Sequence, residues 1–370
     1  MSMAYENRRT GQQWPVSEPI WRAPDDGGPV ELTPGAGVLP AHIDTNKHSL
    51  WRYGTAVRTE KRISLGEGWT PLVPAAWQGQ PVLYKCEHLM PSGSFKDRGI
   101  TVLVNELINR GVTEILEDSS GNAGASMATY CAAAGIDCDI FAPASAPEGK
   151  LQQIAAMGAR LSRIPGTRQD TTDAALAAAE TKFYASHCWQ PFFVEGTKTV
   201  AFEIWEQMGY AIPDHVVMPA GQGGNILGCA VGFAELMAAR QIDKPPRLHI
   251  VQAEHCSPLV SLFSGEEALP VELTLADGIA TPKPVRAKEI VDAVRWSGGQ
   301  AVAVSEAEIT DALKIMLASG WYIEPTSAAA AAGLTKLQYS GTIAPDETTV
   351  LILTGHGLKA SQLIAGALTG

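Results

Sequence analysis

Cysteine is sparse and unpatterned in this chain. Its six cysteines, Cys86, Cys131, Cys138, Cys188, Cys229 and Cys256, include no CxxC pair. That argues against a disulfide framework and a structural zinc site, and it points to a reducing compartment. Basic clusters are missing as well: 28 Lys and Arg stand against 39 Asp and Glu, a formal net charge of −11. Such a surface repels nucleic-acid backbones and anionic lipid unless a local basic patch intervenes, and no run of Lys and Arg supplies one. No apolar run is long enough to cross a bilayer. The N-terminus, MSMAYENRRTGQQWPVSEP, carries basic residues without the apolar stretch of a signal peptide. These absences lead to the expectation of a cytoplasmic protein with no nucleic acid, no membrane and no metal among its partners.

What is present is an ordinary globular composition, 45% hydrophobic and 18% charged over 370 residues. A chain of that length buries a sizeable core and usually divides it between two domains. Residues 1–60 stand apart: they are polar, rich in Pro and Gly, and punctuated by Trp14, Trp21, Trp51 and Tyr53 with little periodicity. They read as an irregular extension packed on a main body. From "SLGEGWTPLV" onward, short β-rich runs alternate with helix-length segments, the pattern of an α/β protein with mainly parallel sheets. Strands are predicted at 81–86, 113–117, 137–142, 160–164, 215–220, 247–254 and 348–354. Helices are predicted at 100–111, 123–135, 148–158, 169–183, 198–209, 225–240 and 305–320, where apolar residues recur at three- and four-residue spacing. The Ala-rich stretches at 174–179 and 328–332 read as good helix formers.

In open α/β sheets, ligands sit on loops at the carboxyl ends of strands. Three such loops are unusual. SSGNAGAS, residues 119–126, combines small residues, hydroxyls and an amide ahead of a helix N-terminus, which suits a carboxylate. GQGGNILG, residues 221–228, spaces its glycines so that successive N–H groups converge as an anion nest, which suits a phosphate. It is a poor dinucleotide fingerprint, because the third glycine of GxGxxG falls on Ile226. A Gly-rich turn with no ligand is the competing reading. LTGHGLK, residues 353–359, puts Thr354 at a strand end, where its hydroxyl either faces a ring nitrogen or caps the chain.

Upstream, LMPSGSFKDRG places Lys96 between Phe95 and Asp97. Lys96 is either a solvated charge in a first helical turn, or a partly desolvated amine able to form a Schiff base with an aldehyde. Together with a carboxylate loop, a phosphate nest and a hydroxyl for a ring nitrogen, the second reading makes a set that pyridoxal 5'-phosphate requires.

Read in order, SLWRYG, SLGEGWTPLV, YKCEHLMPSGSFKDRG, SSGNAGASMATYCAAAGI, FFVEGTKTVAFEI, PAGQGGN, EPTSAAAAAG and LTGHGLK resemble the threonine synthase family of fold-type II pyridoxal-phosphate enzymes. The resemblance implies a two-domain α/β fold of the tryptophan synthase β type, with mainly parallel sheets flanked by helices. Residues 61–96 and 195–370 would form the large cofactor-binding domain, and 97–194 a small mobile one. It implies that Lys96 carries the coenzyme and shuttles protons, with Phe95 beside it. Asn122 would contact the ring's phenolic oxygen, Gly221, Gln222, Gly223, Gly224 and Asn225 the phosphate, and Thr354 the pyridine nitrogen. Ser119, Ser120 and Ala123 would meet the substrate carboxylate.

The implied reaction turns O-phosphohomoserine and water into threonine and phosphate. The alternatives are a serine/threonine dehydratase type of ammonia-lyase, a β-replacement enzyme, or a non-catalytic coenzyme-binding paralogue. A homodimer is implied. Lys85 either reaches the substrate's distal anion or is an exposed strand-end charge, and Glu324 either lines the substrate pocket or joins a loop network. Two departures from the family pattern bear on the substrate more than on the coenzyme. The phosphate loop reads GQGGN where GNAGN is frequent, and CWQPFF stands where an asparagine and an arginine are common.

Overall fold

A computed structural model describes residues 3–146, 148–166 and 168–369. Along the chain the strands are β1 (Ala4–Asn7), β2 (Gln12–Pro15), β3 (Glu31–Leu32), β4 (Leu72–Trp77), β5 (Gln80–Lys85), β6 (Glu114–Glu117), β7 (Asp137–Pro143), β8 (Arg160–Ile164), β9 (Phe183–Tyr184), β10 (His215–Pro219), β11 (Arg247–Ala253), β12 (Ala301–Val304) and β13 (Thr349–Ile352). The helices are α1 (Lys96–Asn109), α2 (Asn122–Ala134), α3 (Glu148–Ala156), α4 (Arg168–Ala178), α5 (Pro191–Thr197), α6 (Thr199–Gln207), α7 (Gly224–Ala238), α8 (Pro258–Ser264), α9 (Ala287–Trp296), α10 (Glu306–Ala318), α11 (Pro325–Tyr339) and α12 (Ser361–Thr369). All seven predicted strands and all seven predicted helices are found, with ends shifted by a few residues.

The chain forms two compact units. One comprises Met1–Ala36, Pro40–Gly68 and Lys96–Thr197; the other comprises Gly37–Leu39, Trp69–Phe95 and Lys198–Gly370. In the first, a parallel sheet runs in the order β8-β7-β6-β9. Helix α1 packs on α2 and α5. Glycines make the α1–α5 approach possible: a Cβ on Gly99 would meet the Phe193 ring, and one on Gly196 would meet the carbonyl of Arg98. The N-terminal segment is more regular than its sequence suggested. It holds an antiparallel sheet, β2-β1-β3, whose strands of two to four residues are too short to display a period. Its aromatics are anchors in the same unit: Trp21 packs edge-on to Tyr184 and Trp189, and Trp51 Nε1 donates to Glu67 at 2.6 Å.

The second unit is built on a six-stranded sheet, β12-β11-β10-β13-β5-β4, parallel except that β4 runs antiparallel to β5. Helix α11 lies on this sheet, and Ala328 to Ala332 are buried. The alanines therefore do more than favour a helix. Their small side chains let α11 sit close to the strands, and a Cβ on Gly333 would meet Val251.

Candidate active site

In the second unit, two strand ends carry the predicted loops. After β10, Gly221 to Asn225 lead into α7, and Gly223 caps the helix in the left-handed region at φ +73°. A Cβ on Gly223 would meet Ile290, and one on Gly221 would come within 2.9 Å of Thr281 Oγ1. The backbone here is therefore closed to side chains and open to a ligand. Gln222 is a brace, its Oε1 accepting from Val285 N–H at 3.1 Å. Asn225 is 2% exposed, yet neither its Oδ1 nor its Nδ2 has a hydrogen-bond partner among the described residues. A buried carboxamide with nothing to bond is rare in a folded protein and marks a place where a polar group belongs. With the N–H groups of the first turn of α7, which lack intrahelical acceptors, and the positive helix end, this loop fits a phosphate monoester.

After β13, the hydroxyl of Thr354 has its direction set by Ser327. The Ser327 Oγ accepts from the N–H groups of Thr354 at 2.9 Å and Gly355 at 3.2 Å, which occupies both of its lone pairs. Its own O–H must then donate to Thr354 Oγ1, 3.1 Å away, leaving the Thr354 O–H turned outward as a donor. A pyridine nitrogen without a proton is the matching acceptor. The same strand end holds the segment that leads to Lys96. Phe95 N–H donates to the Thr354 carbonyl at 3.0 Å, and Ser94 bridges Gly355. Glu324, 6% exposed, caps α11; its carboxylate lies where a Cβ on Gly355 would be, and its N–H donates to the Gly355 carbonyl at 3.0 Å. Both features place it in the loop network beside Thr354.

Lys85 requires a correction. It is fully buried at the end of β5, with Nζ 2.8 Å from Glu203 Oε2 and further bonds to the Thr70 carbonyl at 2.7 Å and Gln207 at 2.8 Å. It is neither an exposed charge nor positioned to meet a substrate anion, because an ammonium taken out of water holds its partners tightly.

In the first unit, Lys96 opens α1 with its Nζ 5.5 Å from the centroid of the Phe193 ring. An aromatic ring does attend the amine, but it comes from α5, 97 residues away in sequence. Next to Lys96, Asp97 accepts from Ser126 Oγ at 2.6 Å, which ties the start of α1 to the start of α2. Ser119 and Ser120 in the loop ahead of α2 are half-buried, and at the start of α2 Asn122 is half-buried and Ala123 buried. A Cβ on Gly124 would collide with the Ser119 carbonyl, so the turn closes only on glycine.

Sequence reasoning missed one group in this unit. Glu117, at the end of β6, is fully buried, and its carboxyl meets His187 twice: Oε2 takes the backbone N–H at 3.0 Å, and Oε1 lies 3.1 Å from Nδ1. The His187 ring stands edge-on to Phe193, with centroids 5.6 Å apart. Burial, aided by the charge of Asp118, pushes Glu117 up to about 8, while burial and the Lys96 charge push His187 well below its usual range. Neither residue lies in a recognisable motif, and the 70 residues between them hide the pairing from a sequence.

Residues 63–355 match the family described as pyridoxal-phosphate dependent enzyme. Threonine synthase of Methanocaldococcus jannaschii is 38% identical over 84% of this chain and 80% of its own length. The chain belongs to the threonine synthase family of pyridoxal-phosphate-dependent enzymes. A second relative, threonine synthase of Methanosarcina acetivorans, is 37% identical over 87% of this chain and 83% of its own. The fold is that of serine racemase from Dictyostelium discoideum, with a TM-score of 0.65 at 24% identity over 78% of this chain and 92% of that one. Membership in the threonine synthase family makes pyridoxal 5'-phosphate the coenzyme, and the open glycine cradle and unpartnered Asn225 suit its phosphate. Among the described residues, no helix is long and apolar enough to cross a membrane.

Proposed function

We propose that this enzyme is a carbon–oxygen lyase of an amino acid in which Lys96 moves the proton at the α-carbon. When bound, the coenzyme supplies an aldehyde for the lysine and an electron sink for negative charge at that carbon. The observation that carries the reading is the proton order at Thr354. A hydroxyl held as a donor by Ser327 favours an unprotonated ring nitrogen, a setting suited to elimination and replacement rather than transamination. Lys96 Nζ takes the α-proton and later returns one. Gly221, Gln222, Gly223, Gly224 and Asn225 grip the coenzyme phosphate, with Phe95 and Asn122 beside the ring. Ser119, Ser120 and the N–H of Ala123 orient the substrate carboxylate.

The relatives supply the first form of the reaction, O-phosphohomoserine and water to threonine and phosphate. A second form, an ammonia-lyase on serine or threonine or a β-replacement, is favoured by the Phe193 ring beside Lys96, an aromatic face rather than a forked donor for a second phosphate. The reading includes a homodimer in the cytoplasm, and a reducing setting is supported by six cysteines that are all buried and form no disulfide.

The test is borohydride reduction of the coenzyme-loaded protein with peptide mapping, followed by product analysis. We expect the label on Lys96, and either threonine with phosphate or a 2-oxo acid with ammonia. A label on another lysine, or amino-acid substrates recovered unchanged, overturns the proposal.

A further inference from the structure

Four side chains of the first unit form a corner around the Lys96 amine. The Phe193 ring, itself fully buried, faces Nζ at 5.5 Å, and His187 abuts the same ring edge-on. Behind His187 stands the buried carboxyl of Glu117, and beside it the Cys188 thiol lies 3.4 Å from Nε2. The remaining charges nearby are Asp118 and Arg168, paired with each other at 2.9 Å, and Asp118 also takes the Tyr184 hydroxyl at 2.9 Å. The corner thus offers an aromatic face, a histidine and buried carboxyl groups, and its guanidinium is held to Asp118 and Thr172.

A phosphate monoester fits that description badly. It is recognised by forked guanidinium donors or converging N–H groups, whereas an aromatic face carries negative potential and attracts cations. Stripping water from a doubly charged group against that face is strongly unfavourable. An uncharged oxygen needs only one donor, and the His187 ring can supply it. Because burial keeps Glu117 protonated near neutral pH and His187 uncharged, the carboxyl O–H donates to Nδ1 and the ring proton resides on Nε2. The Cys188 sulfur is a weak acceptor, which a substrate oxygen displaces.

We propose that this corner selects the substrate by charge: the enzyme takes an amino acid whose departing oxygen substituent is uncharged, a hydroxyl or a neutral ester, and His187 Nε2–H, held by Glu117, donates a hydrogen bond to that oxygen. The proposal rests on the carbon–oxygen lyase reading and names its substrate class. Phe193 and His187 are the specificity-determining residues, and Glu117 is a positioning residue.

The experiment compares kcat/KM for L-serine, L-threonine and O-acetyl-L-homoserine with that for O-phospho-L-homoserine, in the wild type and in Phe193→Arg, His187→Phe and Glu117→Gln. For the wild type we expect the best uncharged substrate to exceed the phosphorylated one by about tenfold or more. Phe193→Arg narrows or reverses that ratio by about tenfold, since it installs the forked donor a phosphate uses. His187→Phe lowers turnover of uncharged substrates at least about tenfold more than that of the phosphorylated one. Glu117→Gln, whose amide can still donate to Nδ1, lowers turnover of uncharged substrates less than His187→Phe does. Nitrogen NMR of coenzyme-free protein provides a readout apart from activity: His187 should be neutral and protonated on Nε2 between pH 6 and 8.

A wild type that prefers O-phospho-L-homoserine, or a His187→Phe variant that loses both substrate classes equally, overturns the charge selection and leaves the lyase reading standing. An Nδ1-protonated or cationic His187 likewise overturns it. Failure of every substrate to yield product overturns the lyase reading and the selection with it.

Discussion

Asn225 and Lys85 show how differently two polar side chains can be buried. The Asn225 carboxamide has no partner among the described residues, and such a group costs about 1–3 kcal/mol. Replacing it with a leucine of similar shape removes that cost. Asn225→Leu should therefore raise the stability of coenzyme-free protein by about 1 kcal/mol in urea unfolding, while weakening coenzyme affinity about tenfold in a spectroscopic titration. Lys85 is the opposite case, an ammonium fully satisfied by Glu203, Gln207 and the Thr70 carbonyl. Glu203→Ala should cost about 3–5 kcal/mol because it strands a buried charge, and Lys85→Met added to it should recover much of that loss. A role for Lys85 in substrate binding would instead appear as a raised KM at unchanged stability. Position in the sequence distinguished neither case, since a strand-end lysine and an asparagine at a helix start look alike whether paired or not.

At the level of elements, the predicted strands and helices were legible because each carries its own period, and the loops because glycine and serine crowd at strand ends. Helix α5 was not. It spans only Pro191–Thr197, too short to show a helical repeat, yet it brings Phe193 to Lys96. Its place depends on two glycines, Gly99 on α1 and Gly196 on α5 itself. Gly196→Ala should force the helices apart, because its Cβ would strike the Arg98 carbonyl, a backbone atom that cannot swing aside. We expect a loss of about 1–3 kcal/mol in thermal or urea unfolding, together with lower turnover as Phe193 moves away from the amine. Strand β9, of two residues, escaped prediction for the same reason as α5.

At the scale of the whole molecule, acid should weaken the fold through a histidine chain in the second unit. Gln300 N–H donates to His249 Nδ1 at 3.1 Å, so His249 Nε2–H donates to His215 Nδ1 at 2.8 Å and His215 Nε2–H to Glu347 at 3.0 Å. Every link requires both rings neutral. Burial pushes His249 down to about 3 and lowers His215 as well. Their folded values lie below the usual 6.5, so the unfolded chain binds more protons and stability falls as pH drops from about 6.5 toward 3. On the order of 2 kcal/mol should be lost between pH 7.5 and pH 5, read as a lower urea midpoint, and His249→Gln should flatten that slope. The amino-acid sequence alone determined the α/β class, the order of the strand-end loops and the lysine proposed to bear the coenzyme, because these are local patterns of period, glycine and hydroxyl. Only the tertiary structure decided that Lys85 is an internal ion pair, that Ser327 turns the Thr354 proton outward and that Glu117, His187 and Phe193 gather near Lys96. Those facts depend on which distant segments share a core, and burial rather than residue type sets which atom carries the proton.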